Sequence, residues 1–152
     1  MKCGILRLAR TALAAMLVAC GVLSLSADEW YDSSTGYTWY YRVHGDGVEI
    51  FNNDCTAALS SKPSGELEIP AKIAGRSVTS IGGWAFVDCS DLTRITMPDS
   101  VEHIGECAFF RCENLASVEF PQNVKSIGYS AFMSCSSLVD VVLPDRDRKS
   151  VV

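Results

Sequence analysis

Histidine is scarce, with two in 152 residues, and neither His44 nor His103 belongs to a recognisable motif. No run of charge of one sign is long enough to form a basic or acidic tail. The net charge of -5 leaves no basic footprint, so nucleic acid is not an expected partner. Metal binding would need clustered ligands or paired cysteine spacing with histidine, and neither occurs. Gly82-Gly83 precedes Trp84-Ala85-Phe86 with no Lys-Ser/Thr behind it, so there is no phosphate loop. Without a nucleophile beside a base, or paired carboxylates, no catalytic residue is assigned and no metal or small-molecule cofactor is expected.

What is present is a packed composition, 48% hydrophobic and 20% charged, of a length that suggests one domain. Residues 1–27 stand apart. Lys2, Arg7 and Arg10 precede an apolar run from Thr11 to Leu25, and small Ser24, Ser26 and Ala27 precede Asp28. That is the anatomy of a secretory signal peptide cleaved after Ser26 or Ala27. At about 15 residues the run is short for a membrane span. Leu17-Val18-Ala19-Cys20 offers a competing reading as a lipobox, with lipidation at Cys20 tethering the protein to a membrane. Against it, Gly21 to Leu25 stays apolar where a polar spacer is usual.

From Val78 the chain repeats a 23-residue unit three times, over residues 78–100, 101–123 and 124–146. A fixed period of that size signals stacked units. The apolar columns are Val78/Val101/Val124, Ile81/Ile104/Ile127, Ala85/Ala108/Ala131 and Phe86/Phe109/Phe132, then Leu92/Leu115/Leu138, Ile95/Val118/Val141 and Met97/Phe120/Leu143. One unit cannot bury these alone; stacked copies turn each column into a ladder. Ile95 and Met97 alternate around Thr96, which makes that segment a strand in a parallel sheet. Pro98/Pro121/Pro144 ends each strand. Gly82/Gly105/Gly128 is expected to supply a backbone turn, and Ala-Phe-x-x-Cys one helical or 3-10 turn on the opposite wall. Residues 67–77 read as a half-repeat, since Leu67-Glu68-Ile69-Pro70 matches Ile95 to Pro98. A five-residue insertion containing Gly75 is expected to loop outward.

Residues 28–66 show no repeat. Tyr37, Trp39, Tyr41 and Val43 share one face at period two, Gly45-Asp46-Gly47 can turn, and Val48 to Phe51 can return. The segment reads as a β-hairpin capping the first unit, followed by a loop from Asn52 to Ser64. Its aromatics could instead form an exposed sugar- or protein-binding surface, although burial of one face is the simpler reading.

The pattern V-x-x-I-G-x-x-A-F-x-x-C-x-x-L-x-x-[IV]-x-[MFL]-P resembles the BspA-type leucine-rich repeat of bacterial surface proteins, over Leu67 to Arg146. The resemblance implies a leucine-rich-repeat solenoid with strands on one wall, secretion or surface display, and adhesion to an extracellular protein or glycan. It carries over no catalytic residues and names no ligand.

Cys89, Cys112 and Cys135 repeat at the unit spacing, as small apolar side chains whose thiols can face a turn carbonyl. A bridge between Cys55 and Cys107 is conceivable but unsupported. Binding is expected on the outward strand positions, Glu66, Arg94, Ser117 and Asp140 in one column and Glu68, Thr96, Glu119 and Val142 in the other. On the neighbouring wall Thr79/Glu102/Lys125 and Ser80/His103/Ser126 face out, with Glu102 and Lys125 placed to pair. After Pro144 the register breaks, and residues 147–152 form no recognisable cap. Leu138, Val141 and Leu143 are then expected under an open end that invites self-association. A structural or remnant protein without a dedicated ligand is the alternative to a recognition module.

Overall fold

The computed structural model describes residues 27–51 and 58–142. The signal and lipidation readings over residues 1–26, Cys55, Leu143, Pro144 and the 147–152 tail lie outside them. The strands are β1 (Asp28–Tyr31), β2 (Thr38–His44), β3 (Gly47–Ile50), β4 (Gly65–Glu68), β5 (Lys72–Ile73) and β6 (Arg76–Ile81). They continue as β7 (Leu92–Thr96), β8 (His103–Ile104), β9 (Ser117–Glu119), β10 (Ser126–Ile127) and β11 (Asp140–Val142). Two sheets result. One is four-stranded and wholly parallel, in the order β11-β9-β7-β4. The other has seven strands, running β1-β2-β3-β6-β8-β10 with β5 on the side of β6.

The four-stranded sheet is the expected strand wall. The second sheet is a finding, because the Val-x-x-Ile segments are also strands. Their apolar residues lie three apart, which hides the period-two signal of a half-buried strand. Backbone pairing nevertheless carries them across, with Ser80 opposite His103 and His103 opposite Ser126. A single hydrophobic cluster is built from both sheets, including Ile81, Ile95, Ile104 and Val118. Phe86, Phe109 and Phe132 stack within it at centroid separations of 5.1 and 5.0 Å, with rings within 7° of parallel.

The Ala-Phe-x-x-Cys stretch is turn, and among the described residues there is no helical or 3-10 segment. Trp84, Cys107 and Ser130 have positive φ, as do Asp88, Arg111 and Ser134 four residues later. Two left-handed residues that close together stop a helix from propagating. The amides between them bond across units instead, Phe86 N–H to the Ala108 carbonyl at 2.7 Å and Phe109 N–H to that of Ala131 at 2.8 Å. Beside local turn bonds such as Phe110 N–H to the Cys107 carbonyl at 3.1 Å, these bonds tie coil to coil.

The repeated glycine is also explained differently from the expectation of a turn. Gly82, Gly105 and Gly128 are absent from the residues with positive φ. A Cβ on Gly105 would lie 2.4 Å from the Gly83 nitrogen, and one on Gly128 2.5 Å from the Glu106 nitrogen. Glycine is needed because the preceding coil's backbone passes directly over it.

Ahead of the repeats, β1, β2 and β3 form an antiparallel meander in place of a simple hairpin. Trp39 and Tyr41 are buried, so these aromatics belong to the core, while Val43 at the strand end is exposed. β3 then pairs parallel with β6. Ile50 sits opposite Ile81, and its carbonyl accepts from Gly82 N–H at 2.8 Å, as the Ile81 carbonyl accepts from Gly105 N–H at 2.7 Å. Ala58 N–H bonds the Ala85 carbonyl at 2.6 Å, just as Phe86 N–H bonds Ala108. A degenerate unit therefore starts at β3, earlier than the half-repeat read from Leu67. Ala58 and Leu59, expected in a loop, are buried.

The insertion is exposed at Ala71, Lys72, Ala74, Gly75 and Arg76, as expected, but it is an ordered hairpin and not an irregular loop. Ala74 and Gly75, at φ 50° and 80°, close a two-residue turn between β5 and β6, and Ile73 is fully buried. Positive φ at both central residues suits the twist of a hairpin.

Candidate functional site

On the four-stranded sheet, Leu67, Ile95 and Val118 point into the core. Their neighbours alternate to the other face. Glu66, Arg94, Ser117 and Asp140 are partners in consecutive strands, as are Glu68, Thr96, Glu119 and Val142. The two expected columns are thus two adjacent rows across one sheet. Glu66, Glu68 and Arg94 are exposed, while Thr96, Ser117 and Glu119 are half-buried. Arg94 and Glu119 form an ion pair between rows. Among the described residues this surface is mixed in charge and carries no aromatic strip.

The seven-stranded sheet presents a second polar row. Arg42, Glu49, Ser80, His103 and Ser126 are partners on β2, β3, β6, β8 and β10. Arg42 Nε lies 2.5 Å from Glu49 Oε2, and its guanidinium stands 4.5 Å above the Phe51 ring centroid. His103 Nδ1 is 2.8 Å from Ser126 Oγ. Ser80, expected to face solvent, is only 6% exposed, because the row closes around it.

Beside this row Lys125 Nζ reaches Glu102 Oε2 at 2.7 Å, the expected pair. The bond to Lys125 holds the Glu102 carboxyl below its ordinary range. A lowered carboxyl contributes stability that is present above its unfolded pKa and fades as pH falls through the folded one. Both side chains are well exposed, so the contribution is small.

The cysteine column behaves as read. Cys112 Sγ donates to the Phe86 carbonyl at 3.1 Å and Cys135 Sγ to that of Phe109 at 3.1 Å, each reaching back one unit. Cys89, Cys107, Cys112 and Cys135 are all free thiols. Hydrogen bonding with Cys135 and Cys89, together with burial, pushes the Cys112 thiol far up. A maleimide reagent added to folded protein should leave Cys112 unmodified, being buried and pushed up, and Cys89 unmodified through burial alone, since its hydrogen bond with Cys112 lowers its thiol. Of the three, half-buried Cys135, also lowered by its bond with Cys112, should react first. Peptide mapping checks this; prompt labelling of Cys112 would contradict a sealed ladder. Among the described residues no group of three or more His, Cys, Asp or Glu comes together to hold a metal.

The family described as the BspA type leucine rich repeat region (6 copies) matches residues 65–149, more than half of the chain. The chain belongs to the BspA-type leucine-rich repeat family. A leucine-rich repeat protein of T. pallidum is 32% identical with a TM-score of 0.62, over 70% of this chain and 47% of its own. A leucine-rich cell surface protein of Faecalibacterium prausnitzii is 28% identical with a TM-score of 0.59, over 74% of this chain and 30% of its own. A leucine-rich repeat protein of Bacteroides capillosus is 30% identical with a TM-score of 0.58, over 72% and 78%. The chain thus spans less than half the length of the first two. No curated protein matches it significantly.

Proposed function

We propose that this BspA-type protein is a secreted or cell-surface recognition module, non-catalytic, that binds an extracellular protein or glycan through an outward sheet face. The observation that carries the reading is the contrast on the four-stranded sheet. Its inward residues stay apolar in every unit, as Leu67, Ile95 and Val118 do, whereas Glu66/Arg94/Ser117/Asp140 and Glu68/Thr96/Glu119/Val142 change in charge and polarity from unit to unit. A scaffold that varies only outward is suited to a specific partner. The β1–β3 meander acts as its N-terminal cap. Surface display rests on the signal segment and on the F. prausnitzii relative, which is described as a cell surface protein. Mass spectrometry of the mature N-terminus separates free secretion, at Ala27 or Asp28, from a lipid on Cys20.

The last described unit motivates self-association. Ile127 is 45% exposed where Ile81 and Ile104 are at most 2%, and Val141 is 45% exposed where Ile95 and Val118 are fully buried. Light scattering should show association rising with concentration; a clean monomer at high concentration contradicts it. For recognition, the experiment is capture from extracellular-matrix and cell-surface extracts on immobilised protein. A partner retained by the native protein and lost with Arg94→Glu supports the reading. Repeated absence of any such partner favours the structural, ligand-free alternative.

A further inference from the structure

We infer that the seven-stranded sheet carries a separate binding groove for a neutral saccharide, laid across the strands along the row from Arg42 to Ser126. A concavity of about 410 Å³ opens on this face, lined by the polar row with His44 beside it and by Ile81, Ile104 and Gly105. It gathers both histidines of the chain, from strands β2 and β8 that are remote in sequence.

Three features point to a ligand. The outer members of the row are held in place: Arg42 by Glu49 and the Phe51 ring, His103 by Ser126. Side chains already fixed by partners lose little entropy on binding. Between them, Ser80 is more than nine-tenths buried and lines the groove. The groove floor is formed by strands, which hold such groups more firmly than loops do.

The chemistry of the row selects the ligand class. Arg42 and Glu49 neutralise each other, so an anion would meet the carboxylate and a cation the guanidinium. The remaining polar groups are a guanidinium, a carboxylate oxygen, imidazole nitrogens and a hydroxyl, set beside apolar Ile81 and Ile104. Donors and acceptors thus alternate within one narrow strip. Ligands whose every hydroxyl both donates and accepts match that strip best, which means an uncharged sugar chain. Adjacent strands lie about 4.8 Å apart, similar to the advance of one pyranose along a chain, so successive sugars would meet successive strands. The groove faces away from the four-stranded sheet's rows and extends the recognition reading to a second site, resting on it only in taking the chain as a binding protein.

Titration of the full chain with maltotetraose and cellotetraose, followed by amide chemical shifts, tests the assignment. At least one should bind, with shifts centred on Ser80, His103 and Glu49. Ser80→Ala should weaken binding roughly fivefold to tenfold through one lost hydrogen bond, and His103→Ala should do the same. Arg94→Ala, on the other sheet, should leave it unchanged. Tetragalacturonate, the acidic counterpart, should bind no better. Absence of binding by both neutral sugars, preference for the acidic one, or shifts centred on Arg94 and Thr96 each overturn the assignment. Should the Ser80 variant fail to fold, the native shift map alone decides. If sugars fail while extract capture remains sensitive to Arg94→Glu, only the groove is lost; if both fail, the recognition reading falls with it.

Discussion

Replacing Phe109 with alanine should cost about 3–5 kcal/mol of folding free energy, the largest single-residue effect expected in the chain. Phe109 is fully buried and is the middle ring of the stack, with Phe86 on one side and Phe132 on the other. Its loss opens a cavity between two units and removes both ring contacts, each contributing about 0.5–1.5 kcal/mol beyond area burial. Small domains have only about 5–15 kcal/mol in total, so the variant should be partly unfolded at moderate temperature. Neighbouring rings can relax into the gap from one side only, because Phe132 is itself half-buried near the end of the described units. Urea denaturation with circular dichroism provides the measurement. A loss below about 1 kcal/mol would mean that the phenylalanine column is not closely packed.

Gly105→Ala should be nearly as severe, for a reason unrelated to apolar burial. The added carbon would stand 2.4 Å from the Gly83 nitrogen, 2.6 Å from the Gly82 carbonyl carbon and 2.9 Å from the Gly83 Cα. All three are backbone atoms, so relief requires two coils to separate. That movement would stretch the 2.7 Å bond from Gly105 N–H to the Ile81 carbonyl. Overpacking of a dense core costs about 1–3 kcal/mol and at times more; a clash with backbone belongs at the top of that range. Gly83→Ala is the matched control. Its nearest contact would be 3.2 Å, to the Glu106 carbonyl oxygen, which a small shift accommodates. Thermal unfolding should separate the two variants by several degrees, and equal midpoints would refute the close-approach explanation.

These two residues also show where the sequence was informative. Three near-identical copies align Phe86, Phe109 and Phe132, and an aligned apolar column in stacked units can only be a ladder. The same alignment placed Glu66, Arg94, Ser117 and Asp140 in register, and strand pairing follows it residue for residue. The glycine column was equally visible, but its cause was not. Close approach of a neighbouring coil and positive φ both demand glycine, and a sequence does not distinguish them.

Other features left little signal. Trp84, Asp88, Cys107 and Arg111 are left-handed without being glycine, so nothing in their identity warned that the Ala-Phe stretch would be turn. Strands as short as β8 and β10, two residues each, carry no alternation to detect. The degenerate unit at β3 was concealed because Ala58 stands where later units have phenylalanine, and because the five residues inserted after Pro70 shift the spacing. One clue did exist for the insertion: Ala74-Gly75 between Ile73 and Arg76 is a turn dipeptide next to a buried side chain. Ser80 was misplaced as exposed because its burial comes from cross-strand neighbours brought in by the meander, which no reading of one repeat contains.

The fold divides labour between apolar inward columns and variable outward rows. A triple variant, Glu66→Ala with Arg94→Ala and Ser117→Ala, tests it on one sample by following the thermal midpoint and the capture of an extract-derived partner together. Removal of one exposed ion pair and two polar surface groups should shift stability by no more than about 1 kcal/mol. The predicted result is an almost unchanged midpoint with capture abolished. An undiminished capture, or a midpoint that falls as far as that of Phe109→Ala, would contradict the account.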